Sequence, residues 1–271
     1  MRISTNIAAY NTYRNLARLN AEQSRGVERL SSGYRISRGA DDAAGLVISQ
    51  SLRAQVSGLK VATRNAQDGV SVMQTAEGAL NEVHAMLIRM RELALQASNT
   101  GSADNASISA AQNEFFQVKL ALNQITQHAA FNAQTLLDGA FVKEFQVGAN
   151  AGDKITVSMA FSINAGAIGV WNISITNGDA ASDAIVAIDA ANATVSSTRA
   201  MFGAFQNRFE SAINNLQVSS ENLQSAESRI RDTDMAVEMT EFTRHQILIQ
   251  AATAMLGQAN QTPRSVLSLL A

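Results

Sequence analysis

The sequence predicts a mainly α-helical protein with a small β region: an elongated helical rod carrying a β-hairpin patch, its N- and C-termini pairing as a helical coiled coil. Three observations predict it. The 271 residues contain a single proline, Pro263, so long segments are free of the residue that costs a helix interior about 3 kcal/mol. Apolar residues recur at alternating steps of three and four over long stretches, the spacing of a coiled-coil seam. Both ends, residues 1–35 and 228–271, are rich in Ala, Gln, Asn and Ser with a thin apolar stripe. Helices of that kind are marginal alone and gain most of their stability from packing, so the ends should fold onto each other or onto neighbouring copies. Composition agrees. Hydrophobic residues make up 46% of the chain but aromatics only 5%. At about 25 cal/mol per Å² of buried apolar surface, small side chains suit helices laid side by side better than a thick core.

Residues 1–38 read as the N-terminal half of a terminal helical domain, with Ile3, Ile7, Tyr10, Leu16, Leu19, Val27 and Leu30 as its stripe. The stretch Ser31–Gly39 holds two glycines and three serines and reads as a linker. Asp41 and Asp42 follow, placed to cap a new helix and complement its positive end. Residues 39–230 form the central domain, with helices over 42–98, 104–128 and 182–230 and a β region over 131–178. In the first, Val56, Leu59, Thr63, Ala66, Val70 and Met73 set a seam, one extra step of three leads to Ala76, and Leu80, Val83, Leu87, Met90, Ala94 and Ala97 resume the alternation. Such a slip locally overwinds a coiled coil, and about 55 residues at 1.5 Å each would span roughly 80 Å. Phe145 and Val147, then Ile155 and Val157, alternate with polar residues across a Gly-rich loop, as in a hairpin; Trp171, Ile173 and Ile175 suggest a further strand, with Trp171 buried. From Phe202 to Ile230 the three–four spacing is strict. Residues 231–271 form the C-terminal half of the terminal domain, with Met239, Phe242, Ile249, Leu256, Val266, Leu267, Leu269 and Leu270 as its apolar positions.

The same features exclude several functions. A net charge of −2 without a basic block disfavours nucleic acid. The absence of cysteine excludes disulfides, thiolate metal sites and Cys nucleophiles. No run approaches the 18 or more apolar residues of a membrane span, and the first residues lack the apolar core of a secretory signal. His84, His128 and His245 are scattered, without the spacing of a metal site. Asp41 and Asp42, adjacent in sequence, do not face each other on a helix. No cofactor, metal or catalytic residue is expected, and the chain does not read as an enzyme.

Two sets of motifs then carry a specific resemblance. Leu30-Ser31-Ser32-Gly33-Tyr34-Arg35-Ile36, followed by Asp41-Asp42-Ala43-Ala44-Gly45-Leu46-Val47-Ile48-Ser49, resembles the N-terminal signature of bacterial flagellins. Asp232-Thr233-Asp234-Met235-Ala236, Gln246-Ile247-Leu248, Gln258-Ala259-Asn260-Gln261 and Val266-Leu267-Ser268-Leu269-Leu270 resemble the flagellin C-terminus, in order and at the expected distance from the chain end. The resemblance covers nearly all of the chain outside about 140–180. It implies an inner-core domain built from both termini, an outer-core domain built from the central helices and β region, and no inserted outer domains.

What the resemblance implies for function is self-polymerisation into the flagellar filament, the propeller of motility, outside the cell. It implies export unfolded through the flagellar type III apparatus, an export chaperone on the C-terminal helix, and filament cap and hook-associated proteins as partners. It also points to host Toll-like receptors: Leu87, Arg89, Arg91, Glu92, Leu93 and Gln96 lie in a stretch resembling the receptor-recognised segment of stimulatory flagellins, with Glu114 at a contributing acidic position. Arg89 and Leu93, four apart, should share a helix face. A solvated face or a subunit contact would use the same residues. Two other readings stand beside the filament subunit: a hook–filament junction protein of the same family, and a surface binding module or adhesin.

Overall fold

The computed structural model describes residues 5–101, 104–159 and 161–270, without the side chains of 263–270. Its elements are α1 (Ile7–Ser32), α2 (Ala43–Ser98), α3 (Asn105–His128), β1 (Ala130–Phe131), β2 (Gln134–Thr135), β3 (Phe141–Gln146), β4 (Lys154–Met159), α4 (Gly178–Arg231) and α5 (Met235–Leu270). The fold is mainly α with a small β region, as the sequence predicts. The chain divides into two compact units, Met1–Gln55 with Glu221–Ala271, and Val56–Ser220. The divisions fall inside α2 and α4, so each long helix serves both units.

The central unit owns the hydrophobic core. Along α2, Ala76, Leu80, Val83, Leu87, Met90, Ala94 and Ala97 are buried at the predicted steps of four and three. Nearer the start the seam departs from prediction: Ala62 and Gly69 are buried where Thr63 and Val70 were expected, and Val72 and Met73 are buried side by side. The cause at Gly69 is a ring. A Cβ there would come within 2.7 Å of Phe209 Cζ, and Phe209 in turn stacks edge-on against Phe145, centroids 5.3 Å apart. On α4 the seam starts earlier than predicted, at Ala181, and repeats every seven residues through Ile188, Val195, Phe202, Phe209 and Leu216, a sustained heptad. Phe115 and Leu122 of α3 complete the interior.

The predicted hairpin is present as β3 and β4, antiparallel, with Phe141 opposite Met159 and Phe145 opposite Ile155. Ile155, Val157 and Met159 point inward, alternating with exposed residues. A second, short pair joins β1 and β2 through Asn132 and Ala133, both at positive φ, the conformation of a tight primed turn. Gly139 is at φ +83°, and a Cβ there would lie 2.6 Å from the Ser162 backbone nitrogen, so only glycine fits.

The expected strand over Trp171–Ile175 does not form, and Trp171 is 42% exposed rather than buried. Helix α3 supplies partners that a neighbouring strand would otherwise provide. Lys119 Nζ donates to the carbonyls of Trp171 (2.8 Å) and Ile173 (3.0 Å), and Gln112 Oε1 accepts from the Ile175 N–H at 2.6 Å. Lys119 also sits 5.6–6.0 Å from the ring centroids of Phe115, Trp171 and Phe116. Burial pushes its pKa down.

The expected linker is ordered. Gly33 ends α1 in the left-handed conformation. The Arg35 N–H donates to the Arg231 carbonyl at 2.7 Å, and the Thr233 N–H to the Gly33 carbonyl at 2.9 Å. The Arg231 guanidinium lies 4.3 Å over the Tyr34 ring, and Ile36 is buried. The two aspartates divide their work. Asp42 Oδ1 caps α2 by accepting the Gly45 N–H at 2.9 Å, whereas Asp41 Oδ2 accepts the N–H groups of Ser37 and Arg38 and fixes the turn before it.

Candidate assembly surface

In the terminal unit α1 and α5 run antiparallel. Asn6 Nδ2 donates to the Ala259 carbonyl at 2.7 Å, and Arg29 lies 3.7 Å from Glu238 at the other end. Between them, Glu22 approaches His245 at 3.7 Å and Gly26 is buried against Glu238 and Phe242. The half-buried stripe on α1 is Ala9, Thr12, Leu16, Leu19, Gly26 and Leu30; on α5 it is Glu238, Phe242, His245, Ile249, Ala252, Leu256 and Ala259. Much of this seam is small or polar.

The residues predicted as one terminal assembly set therefore divide in two. Leu16, Leu19, Leu30, Phe242, Ile249 and Leu256 lie on the half-buried stripes of the helix pair. Ile7, Val27 and Met239 are at least half exposed on the outside. Ile3, and the side chains of Val266, Leu267, Leu269 and Leu270, lie outside the described residues. Sequence spacing could not separate the two sets, because apolar residues populate more than one face of each helix. It also missed Tyr13, Val47, Ile48, Val237, Ile247, Leu248 and Met255, all large, apolar and exposed in this unit. Of these, Ile247 and Leu248 line, with Met239, Thr240, Thr243 and Arg244, a groove of about 490 Å³ on α5.

In the central unit the predicted receptor- or subunit-contact residues also separate. Leu87 and Leu93 are 0% and 2% exposed; they belong to the core and present nothing to a partner. Arg89 and Leu93 accordingly do not share an exposed face, since Leu93 turns inward beside Ala94. The charged residues remain at the surface and are engaged with each other. Arg89 Nη2 donates to Glu114 Oε1 at 2.6 Å and its Nη1 to Glu92 Oε2 at 3.0 Å, and Arg91 Nε donates to Asp189 at 2.8 Å. Gln96 is exposed, and Ile88, Leu95 and Phe116 stand exposed on α2 and α3. Isolated surface ion pairs contribute little to stability; what this cluster provides is a fixed pattern of charge over partly apolar ground.

Among the described residues there is no group of three His, Asp or Glu side chains able to take a metal, and no helix is long and apolar enough to cross a membrane.

Comparison with known proteins is specific. The bacterial flagellin N-terminal helical region matches residues 3–142 and the C-terminal helical region matches residues 185–270. A flagellin of Halalkalibacterium halodurans is 49% identical and one of Bacillus subtilis strain 168 is 44% identical, each aligned over the whole of both chains. The crystal structure of Bacillus cereus flagellin, 27% identical, superposes with a TM-score of 0.52 over 56% of this chain and 88% of that one. The chain belongs to the bacterial flagellin family.

Proposed function

We propose that the chain is the structural subunit of the extracellular flagellar filament, and that the outer faces of α1 and α5 are buried between copies when it polymerises. The observation that carries this is the inversion of the terminal unit. Many of its large apolar residues are exposed, among them Tyr10 at 73% and Met255 at 61%, while those on its internal seam, such as Leu16 and Phe242, are only half-buried. Exposed apolar residues gathered at a groove, as Met239, Ile247 and Leu248 are on α5, mark an interaction site, and a second copy, carrying the same faces, is the occupant that satisfies it.

Export follows the same logic. With no cysteine and no metal group among the described residues, the chain has nothing to set before it folds, and it can travel unfolded and fold at its destination. An export chaperone on α5 would cover the exposed apolar face until then, and the filament cap and hook-associated proteins would meet the same terminal unit at the filament ends. On the central unit, Arg89, Glu92, Glu114 and Gln96 form the surface we assign to subunit contact in the filament and to a host Toll-like receptor where one meets the free chain; Arg91, paired with Asp189 on another side of α2, we assign to subunit contact from that side.

Seeded polymerisation of purified chain, followed by electron microscopy with parallel protease mapping, tests the reading. Long uniform filaments, and cleavage of free chain first within α1 and α5, are expected. A chain that stays monomeric with protease-resistant ends would rule it out.

A further inference from the structure

Without cysteine, methionine carries all the oxidisable sulfur of this chain. Of the eight methionines in the described residues, seven fall into two sets. Met73, Met90 and Met159 are sealed in the central core at 0–1% exposure, and Met86 is partly buried against it. On α5, Met235, Met239 and Met255 are 47%, 50% and 61% exposed. They stand off the stripe that meets α1, which passes through Glu238, Phe242 and His245. Met235 and Met239 are one turn apart, and Met239 lines the α5 groove beside Ile247 and Leu248. Met255 lies two turns beyond Leu248 and so on that residue's edge of α5, about 160° around the helix from Met239; the three sulfurs flank the solvent-facing half of α5 from both sides of the α1 stripe. Of the methionines exposed in the described residues, only Met201, on the central part of α4, lies elsewhere.

We propose that Met235, Met239 and Met255 are separate modification sites for hydroperoxides on the solvent-facing half of α5, and that their oxidation blocks docking of a second copy there. The inference rests on the filament reading above. A sulfur lone pair attacks the terminal peroxide oxygen. The S–O bond forms as the O–O bond breaks, the thioether is oxidised by two electrons, and the hydroperoxide is reduced to its alcohol, or to water from hydrogen peroxide, the proton moving to the departing oxygen. The product is a polar, chiral sulfoxide in place of a flexible apolar side chain, reversible by methionine sulfoxide reductases. At an apolar interface its oxygen must find a donor or remain unpaired, which disfavours burial. Because docking would cover the same sulfurs, oxidation acts on free subunits and spares assembled ones.

The test treats the full-length chain with hydrogen peroxide, maps sulfoxides by peptide mass spectrometry, quenches the oxidant and follows seeded elongation. At least a tenfold loss of elongation rate is expected, restored by the two sulfoxide reductases. The M235L/M239L/M255L chain should resist the treatment, and the M201L chain should remain as sensitive as the original. Elongation at the untreated rate with all three sulfoxides in place, or equal sensitivity of the triple variant, overturns the proposal. Peroxide footprinting of filaments supplies a measure independent of any substitution: Met239 should oxidise at least tenfold more slowly in filaments than in free chain, and equal rates overturn the proposal. Untreated chain that forms no filaments overturns the filament reading, and the proposal with it, whereas the other adverse results overturn the proposal alone.

Discussion

The central and terminal units are both built from long helices with heptad-like seams, yet they treat their apolar residues in opposite ways. In the central unit Phe115, Phe202, Phe209, Leu80 and Leu122 are wholly buried. In the terminal unit Ile36 is the one large apolar residue buried among those described, and Tyr10, Tyr13, Ile247 and Met255 face solvent. At roughly 1.5–3 kcal/mol for each fully buried large apolar side chain, the first arrangement stabilises its unit from within. The second leaves that stabilisation unclaimed until a neighbour covers it. One unit is finished in the single chain; the other, on the function we propose, is finished by assembly.

Truncation breaks this comparison most directly. Removing residues 1–35 or 236–271 should abolish polymerisation while leaving the thermal unfolding of the central unit, followed by circular dichroism, within a few degrees of the full chain. Filaments from either truncated chain would mean that the pairing of α1 with α5 is not required for polymerisation.

Paired phenylalanines come next. Phe209→Ala deletes a buried ring that also meets Phe145 and should cost about 3–5 kcal/mol in denaturant unfolding. Phe242→Ala, in the half-buried terminal seam, should cost a fraction of that while slowing polymerisation more than Phe209→Ala slows it at equal folded concentration. Equal losses of stability would erase the distinction between the units. Gly69→Ala sharpens the same point from the opposite side. Its methyl must displace the Phe209 ring, an overpacking worth about 1–3 kcal/mol, and it should lower the central transition.

Much of this fold was legible because period and composition act locally. The seam from Ala76 to Ala97, the hairpin and the ends of the long helices follow from spacing, capping residues and one proline. The failures are tertiary. Val70 yields to Gly69 because a ring from another helix occupies the space. The Trp171 segment is extended in pattern but takes partners from Lys119 and Gln112, side chains that no local rule ties to it. The candidate surface was legible in location more than in membership. Arg89, Glu92 and Glu114 are joined by ion pairs at the surface, whereas Leu87 and Leu93, read with them in the sequence, are core. On the terminal helices, apolar residues on two faces carry the same signal, and only the pairing of α1 with α5 shows which face is left over. Leu87→Ala and Arg89→Ala express that correction as an experiment. The first should destabilise the central unit by about 2–5 kcal/mol; the second should leave its unfolding unchanged and act only on binding or assembly.

The smallest expected effect is local and set by pH. Helix α1 begins at Asn6, whose side chain accepts the Ala9 N–H and does not titrate. Helix α3 begins at Asp104, whose carboxylate accepts the Ser107 N–H at 2.8 Å. The backbone N–H of Ser107, with its hydroxyl, holds the Asp104 carboxyl below its ordinary value of 3.8. A folded-state pKa below the unfolded one means that the cap's contribution is complete above about pH 3.8 and is lost as pH falls through the lower, folded value. The first turn of α3 should therefore fray on acidification while the first turn of α1 holds. Amide exchange at Ser107, compared with Ala9 between about pH 5 and 2.5 and corrected for intrinsic rates, reads the difference. Asp104→Asn keeps the acceptor and removes the titration, so protection at Ser107 in that variant should no longer depend on acid. Persistence of the acid effect in the Asn chain would place its origin outside the cap. Asp138, a carboxylate of the β region held low first by the Thr135 hydroxyl and then by the Ala140 N–H, would be the next group to replace.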